Sequence, residues 1–210
     1  CRSNKNANQY NQYIRRILFE AEDEIEAGDY LMVVRNNYFW LPRDSEIGFL
    51  ANGDFVQVVK IIRRTEEFGF RFADARVRLV DYPDEPDLEV KLLLDTLHTE
   101  SPALPQDRNK ALYDAVNEDY AHLETKKERS AALRKDPFLN ALQVKFAYAL
   151  TCHKAQGGQW QAVFVDHGFL KEDMVNSEFA RWLYTAVTRS SEKLFLLNFN
   201  KTLIGDEPTD

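Results

Sequence analysis

Residues 149–160 read Ala-Leu-Thr-Cys-His-Lys-Ala-Gln-Gly-Gly-Gln-Trp. A hydroxyl (Thr151), an imidazole (His153), an ammonium (Lys154), two amides (Gln156, Gln159) and a glycine pair (Gly157, Gly158) therefore fall within one short stretch. Adjacent glycines let backbone N–H groups come close to a phosphate. Polar loops at the C-terminal edge of a parallel strand are where open α/β sheets take their ligands. The same residues also suit a plain polar turn between strand and helix. A second stretch, Leu-Tyr-Thr-Ala-Val-Thr-Arg-Ser at 183–190, sets Arg189 at the last turn of an amphipathic helix. A cation there either favours the helix dipole, by roughly 0.3–1 kcal/mol, or stays free to deliver its planar fork to a phosphate.

Other constellations are weaker. Cys152 beside His153 suggests a thiol nucleophile, but neighbours on a strand point to opposite faces. His98, His122, His153 and His167 form no zinc spacing with Cys1 and Cys152, so no metal ligands are expected. Asp166 lacks the carboxylate cluster of a nuclease centre, and the acidic run Asp81–Glu89 reads as a solvated turn. Tyr38, Phe39 and Trp40 either stack a base or cap a core. The 210 residues carry 27 Lys and Arg against 34 Asp and Glu, a net charge of −7. That excludes a globally basic nucleic-acid binder and leaves room for a few placed contacts. Two cysteines give no disulfide framework, so a reducing cytoplasm is the expected compartment. No apolar run approaches the ~20 residues of a membrane span. The chain opens on Cys rather than Met, as expected of a piece of a longer protein.

The elements that must hold these residues follow from the hydrophobic periods. Ala7, Tyr10, Ile14, Ile17, Leu18 and Ala21 predict a helix over 6–24, stopped by Gly28-Asp29. From Tyr30 the period falls to two. Strands are expected at 30–35, 54–62, 70–82 and 88–94, separated by turn residues, and together they suggest a small antiparallel barrel. After Pro102 and Pro105, Leu112–Leu123 recurs at three and four as a helix, and 126–135 is charged nearly all round. Val144–Thr151 predicts a strand and Trp160–Asp166 a second. Asn176 or Ser177 caps a helix with the stripe Phe179, Trp182, Leu183, Ala186 and Val187, and Lys193–Phe199 is a last strand. Strand, loop, strand, helix and strand are α/β logic. The expected organisation is one α/β domain built from residues 1–27 and 138–210, with a β-rich and helical module inserted at 28–137.

Thr151-Cys152-His153-Lys154-Ala155-Gln156-Gly157 resembles the Thr-x-His-Lys-x-Gln-Gly element of superfamily 1 helicases, and Tyr184-Thr185-Ala186-Val187-Thr188-Arg189 resembles their Tyr-Thr-Ala-(Val/Ile)-Thr-Arg element. Within that superfamily the chain is most similar to the RecD-like and Dda-like 5′→3′ DNA helicases, relatives of the exodeoxyribonuclease V alpha subunit. Arg2-Ser3-Asn4-Lys5, with Asn11 and Arg15, is similar to their motif IV. Gly28-Asp29 and Asn52-Gly53-Asp54 resemble the start and a turn of the small SH3-like barrel that such helicases insert in their second RecA-like domain. The two chief motifs stand in the family's order and spacing. Residues 106–137 match nothing specific.

The resemblance implies a fold, a RecA-like parallel sheet with an inserted barrel and helical segment. It also implies an activity, ATP-dependent unwinding of DNA and translocation on single-stranded DNA of the recombination and repair type. Arg189 would be catalytic, touching the γ-phosphate of ATP as an arginine finger does. Gly158, Gln159 and Arg2 would lie with Arg189 around the nucleotide, although the family commonly has Glu where Gln159 stands. Thr151, His153, Lys154 and Asn4 would contact the single-stranded DNA backbone, positioning it without reading sequence. No Gly-x-x-x-x-Gly-Lys-(Ser/Thr) occurs in the chain, nor an Asp-Glu pair after an apolar strand. In the family both belong to a preceding RecA-like domain, the expected partner, which would also hold the Mg²⁺; this piece alone is expected to be inactive. Two other classes remain open: a non-catalytic module binding single-stranded nucleic acid or protein, and a small complete enzyme using Cys152 or His153.

Overall fold

A computed structural model describes residues 1–42, 45–170 and 174–199. In chain order its elements are α1 (Asn4–Tyr13), a π-helical turn (Ile14–Leu18), β1 (Tyr30–Val33), β2 (Phe55–Glu67), β3 (Phe70–Leu79), β4 (Leu88–Leu93), a 3-10 turn (Leu94–Thr96), α2 (Gln106–Asp119), α3 (Lys126–Lys135), β5 (Leu142–Phe146), β6 (Trp160–Asp166), α4 (Ser177–Val187) and β7 (Ser190–Leu197). They fall into two compact units, one of Gln12–Tyr148, the other of Cys1–Asn11 with Ala149–Asp210. No helix among the described residues is long and apolar enough to cross a membrane.

In the larger unit β1 to β5 close a barrel in sequence order, with β5 returning to β1. Every pairing is antiparallel except β4 with β5. Leu31, Val33, Val56, Val58, Val77 and Val144 are among the inward residues of a single core. The strict alternation read at 75–79 holds: Ala75, Val77 and Leu79 are buried, and Arg76 and Arg78 are exposed. On β3, Phe70 and Phe72 meet Leu112 and Val116 of α2 and Leu133 of α3 in a second core. The charged segment becomes α3 because it opens on a capping box. Thr125 Oγ1 accepts from the Glu128 N–H (3.1 Å), and Glu128 Oε2 accepts from the Thr125 N–H (3.2 Å).

In the smaller unit β6 and β7 pair in parallel, and Val163 and Val165 face α4 across Cys152, Trp182, Leu183 and Ala186. Phe164 and Phe195 stack on each other with ring centroids 4.5 Å apart, and both are exposed. Asn176 caps α4, its Oδ1 accepting from the N–H groups of Glu178 (3.0 Å) and Phe179 (3.1 Å).

Three expectations need correction. The wide RecA-like parallel sheet is not found among the described residues, where the parallel pairing of this unit is β6 with β7. The segment expected to supply a neighbouring strand is the reason. The strand there is Leu142–Phe146, not Val144–Thr151, and it closes the barrel. All five of its residues are buried. Lys145 is accommodated because its ammonium donates to the Thr96 carbonyl (3.2 Å) and to that of Thr99. The opening helix also stops well before Glu24. It widens into the π-helical turn, and Glu20 adopts a positive φ of 53°. Ile17 and Leu18, expected on the covered face, are 58% and 67% exposed.

What ends that helix is a buried charge. Arg15 donates from Nε to Asp29 Oδ1 (2.8 Å) and from Nη2 to Asp29 Oδ2 (2.9 Å) and the Asp23 carbonyl (3.1 Å), and its guanidinium lies 4.2 Å from the Phe146 ring centroid. The Glu26 carboxylate collects the N–H groups of Glu22 (2.8 Å) and Asp23 (2.6 Å), folding the chain back. Arg15→Ala leaves the Asp29 carboxylate buried without its cation and should cost about 3–5 kcal/mol in urea unfolding. Arg63→Ala, which breaks an exposed pair with Asp74, should cost under about 1 kcal/mol. Equal small losses would mean that the Tyr148 hydroxyl and the Glu26 N–H, which also bond Asp29, satisfy it alone.

Candidate functional site

Residues 149–152 belong to no strand, yet their backbone is paired. The Ala149 N–H donates to Asn11 Oδ1 (2.7 Å) while Asn11 Nδ2 donates to the Ala149 carbonyl (2.9 Å). The Cys1 nitrogen donates to the Leu150 carbonyl (2.9 Å), and the Cys152 N–H donates to the Cys1 carbonyl (3.0 Å). From this anchored stretch the chain enters a tight turn, with the N–H groups of Lys154 (2.9 Å) and Ala155 (3.1 Å) both donating to the Thr151 carbonyl. Thr151, His153 and Lys154 share this turn. His153 is exposed, and Thr151 and Lys154 are half-buried. Burial pushes the Lys154 ammonium below its usual range. Gly157 sits at φ +87°, a conformation that favours glycine.

Cys152 faces the other way. It is buried against Val165 and Ala186, and its Sγ donates to the Trp182 carbonyl (3.5 Å). Burial pushes the thiol up, opposed by Arg189. A packed, protonated thiol is a poor nucleophile, so the small-enzyme reading through Cys152 loses its reactive group.

Arg189 lies just beyond α4, after the cap residue Thr188. Its side chain is not free, contrary to expectation. Nε donates to the Thr185 carbonyl (3.0 Å), Nη2 to Thr188 Oγ1 (3.1 Å) and Nη1 to the Gly158 carbonyl (3.1 Å). Its own carbonyl accepts from the Trp160 N–H (2.9 Å). The structure thus joins the two motif segments, Gly158 from one and Arg189 from the other. Gly158 is required for packing: a Cβ there would come within 2.4 Å of the Trp160 ring. Gln159, between them, is exposed.

The remaining candidates lie elsewhere in the unit. Arg2 rests its guanidinium 5.8 Å and 5.9 Å from the Phe179 and Trp182 ring centroids, on the earlier turns of α4. Asn4 opens α1, half-buried. Asp166, at the end of β6, accepts from the Tyr10 hydroxyl (3.0 Å), the Gly168 N–H (2.9 Å) and Asn198 Nδ2 (3.1 Å). Burial would raise its pKa, but these donors outweigh it and hold the carboxylate below its usual range. It is a joint between α1 and β6, a role that sequence reading missed because its partners lie 156 and 32 residues away. Trp160 was missed as well, although an aromatic two residues beyond a glycine pair is a legible hint of close packing. Among the described residues no group of three or more His, Cys, Asp or Glu side chains converges on a metal site.

With this geometry in place, comparison with known proteins is informative. Protein R530 of Acanthamoeba polyphaga mimivirus, itself described as uncharacterized, is 23% identical over 231 aligned positions covering 91% of this chain. The chain spans about half, 45%, of that curated relative's length. Residues 146–197 match the UvrD-like helicase C-terminal domain, a match that takes in both motif segments and supports the C-terminal part of a superfamily 1 helicase.

Proposed function

We propose that this chain is the C-terminal motor part of an ATP-dependent 5′→3′ DNA helicase of the RecD-like group, working with an N-terminal RecA-like domain and single-stranded DNA in the cytoplasm. The observation that carries the reading is the 3.1 Å hydrogen bond from Arg189 to the Gly158 carbonyl, which brings together two segments 31 residues apart. The groups so gathered suit a phosphate-bearing ligand. They are a guanidinium that, among the described residues, meets neutral acceptors, and a glycine pair with one residue at positive φ.

ATP, when bound between this unit and its partner, supplies the phosphoryl transfer that drives translocation. Arg189 would exchange its carbonyl acceptor for phosphoryl oxygens, which bind the planar fork more strongly because they are charged. Gly158 and Gln159 would line the nucleotide, and Arg2, held on the α4 aromatics, is the more distant candidate. Mg²⁺ is assigned to no residue of this chain. Thr151, His153 and Lys154, with Asn4, would hold the strand's phosphates. A strand pulling on the turn at 152–157 would act on Gly158 through the same few residues, a short mechanical route from DNA to nucleotide.

Arg189→Ala and Arg189→Lys, made in a polypeptide joining this chain to the N-terminal partner, should each lower DNA-stimulated ATPase by about 10³-fold or more. Because the side chain bonds neutral groups at a half-buried site, Arg189→Ala should also cost about 1 kcal/mol of stability. Turnover within threefold of wild type in both variants would remove Arg189 from the reaction.

Replacing both Thr151 and His153 with Ala should weaken binding of a dT12 oligonucleotide by roughly tenfold, the worth of one or two phosphate hydrogen bonds. It should also raise the DNA concentration needed for half-maximal ATPase. Unchanged binding and unchanged stimulation together would sink the assignment of this turn to DNA.

A further inference from the structure

The larger unit carries a cavity of about 280 Å³ beside the barrel, lined by residues 35–39 on one side and by Arg134, residues 139–141 and Gln143 on the other. The segments Thr151–Gly157 and Tyr184–Arg189 belong to the other unit. Its lining includes two arginines, Arg35 and Arg134, several amides and, among the described residues, no carboxylate. At its lip Tyr38 is 70% exposed and stacked on Phe49, with centroids 4.7 Å apart and planes 26° from parallel.

The arginines that line it differ from those of the neighbouring barrel strands. The arginines of β2 and β3 that point outward are neutralised: Arg63 by Asp74, Arg64 by Asp23, Arg71 by Glu24, Arg76 by Glu89 and Arg78 by Asp87. Arg35 and Arg134 are held by neutral acceptors instead. Arg35 Nη1 donates to Asn109 Oδ1 (3.1 Å), and Arg134 donates to the carbonyl (3.2 Å) and hydroxyl (3.4 Å) of Ser130. Among the described residues neither has a carboxylate within ion-pair distance. In a chain of net charge −7, two arginines with no carboxylate partner among the described residues in the lining of one cavity favour an anion there.

The floor is rigid. The Asn140 carbonyl accepts from Asn37 Nδ2 (2.8 Å) and Trp40 Nε1 (2.7 Å), tying one wall to the other. Gln143 is fixed by Asn109 (3.1 Å) and by the Leu104 N–H (3.0 Å). An exposed ring, a small cavity with amide edges, and two positive forks match the parts of a nucleotide: a base to stack, base edges to hydrogen-bond, and flanking phosphates. The volume lies just below the usual range of ligand pockets, a size for one base rather than a folded peptide segment.

We propose that this cavity is a second contact for single-stranded nucleic acid, taking one base against Tyr38 with its phosphates on Arg35 and Arg134. It rests on the helicase reading only for the identity of the polymer; the geometry belongs to the barrel unit alone. Fluorescence anisotropy of a 5′-labelled dT12 with the 210-residue chain tests it. Tyr38→Ala should weaken binding roughly tenfold and Tyr38→Phe should restore it, because stacking needs the ring and not the hydroxyl. Arg35→Ala and Arg134→Ala should each reduce the slope of log K against log salt by about 0.7, one single-strand phosphate contact apiece. A dT12 carrying 5-iodouracil should photo-crosslink to Tyr38. The Thr151→Ala/His153→Ala variant, assayed in parallel, separates the two ideas. If it loses affinity while Tyr38→Ala and both arginine variants bind as wild type, the cavity is not a nucleic-acid site and the helicase reading stands. If the Tyr38 and arginine variants lose affinity while the turn variant does not, the cavity proposal holds without the motor assignment. If dT12 binds none of the proteins, both ideas fall.

Discussion

The candidate site depends on one side chain's pairing with a backbone. Asn11 is buried, and its amide returns both hydrogen bonds of Ala149, donor to acceptor and acceptor to donor. A strand neighbour would normally do this. Here residues 147–151 lie in no strand, and an unpaired buried peptide group costs about as much as a lost hydrogen bond. Asn11 and the backbone of Cys1 take over that role, and they fix where the chain leaves for the turn at Thr151. The turn in turn places Gly158 under the Trp160 ring and beneath Arg189. Loosening the clamp would move the whole sequence of groups together.

Charges are used in two different ways. Around the barrel ribbon, arginines and acids cancel in exposed pairs, each worth little by itself. Where the chain must change direction, at Arg15 and Asp29, the pair is buried and given additional donors, so that breaking it is expensive. The guanidinia of Arg35, Arg134 and Arg189 follow neither pattern. They rest on neutral oxygens, which hold a cation in place without quenching it, so that an incoming anion finds the charge still available.

The barrel was legible in the sequence because antiparallel strands with one wet face alternate, and Ala75–Leu79 does so residue by residue. The strand closing it was legible only as a strand. With all of Leu142–Phe146 buried, including Gln143 and Lys145, its pattern carries no sign of which sheet it joins. The helix over 6–24 misled for a similar reason: Ile14, Ile17 and Leu18 keep helical spacing, but spacing is blind to an arginine drawn into a pocket by Asp29, fourteen residues later. The spacing of Thr151–Gly157 and Tyr184–Arg189 marked the site segments through resemblance. The bond that joins them, and the cavity beside Tyr38, come from tertiary packing that no local window contains.

The pairing of β1 with β5 also governs how the chain is made. Leu31 finds its partner in Phe146, about 115 residues later. At the usual ~5–20 residues per second of synthesis, β1 waits about 6–23 s for that partner. During the wait β2 can cover one side of β1, while the other is an open edge bearing Leu31 and Val33, a template for any extended neighbour. High contact order of this kind slows closure even after the last strand has emerged. The nascent chain is therefore most prone to mispairing with other copies before the ribosome reaches Phe146, and a pause in translation just upstream of that point would lengthen the exposure.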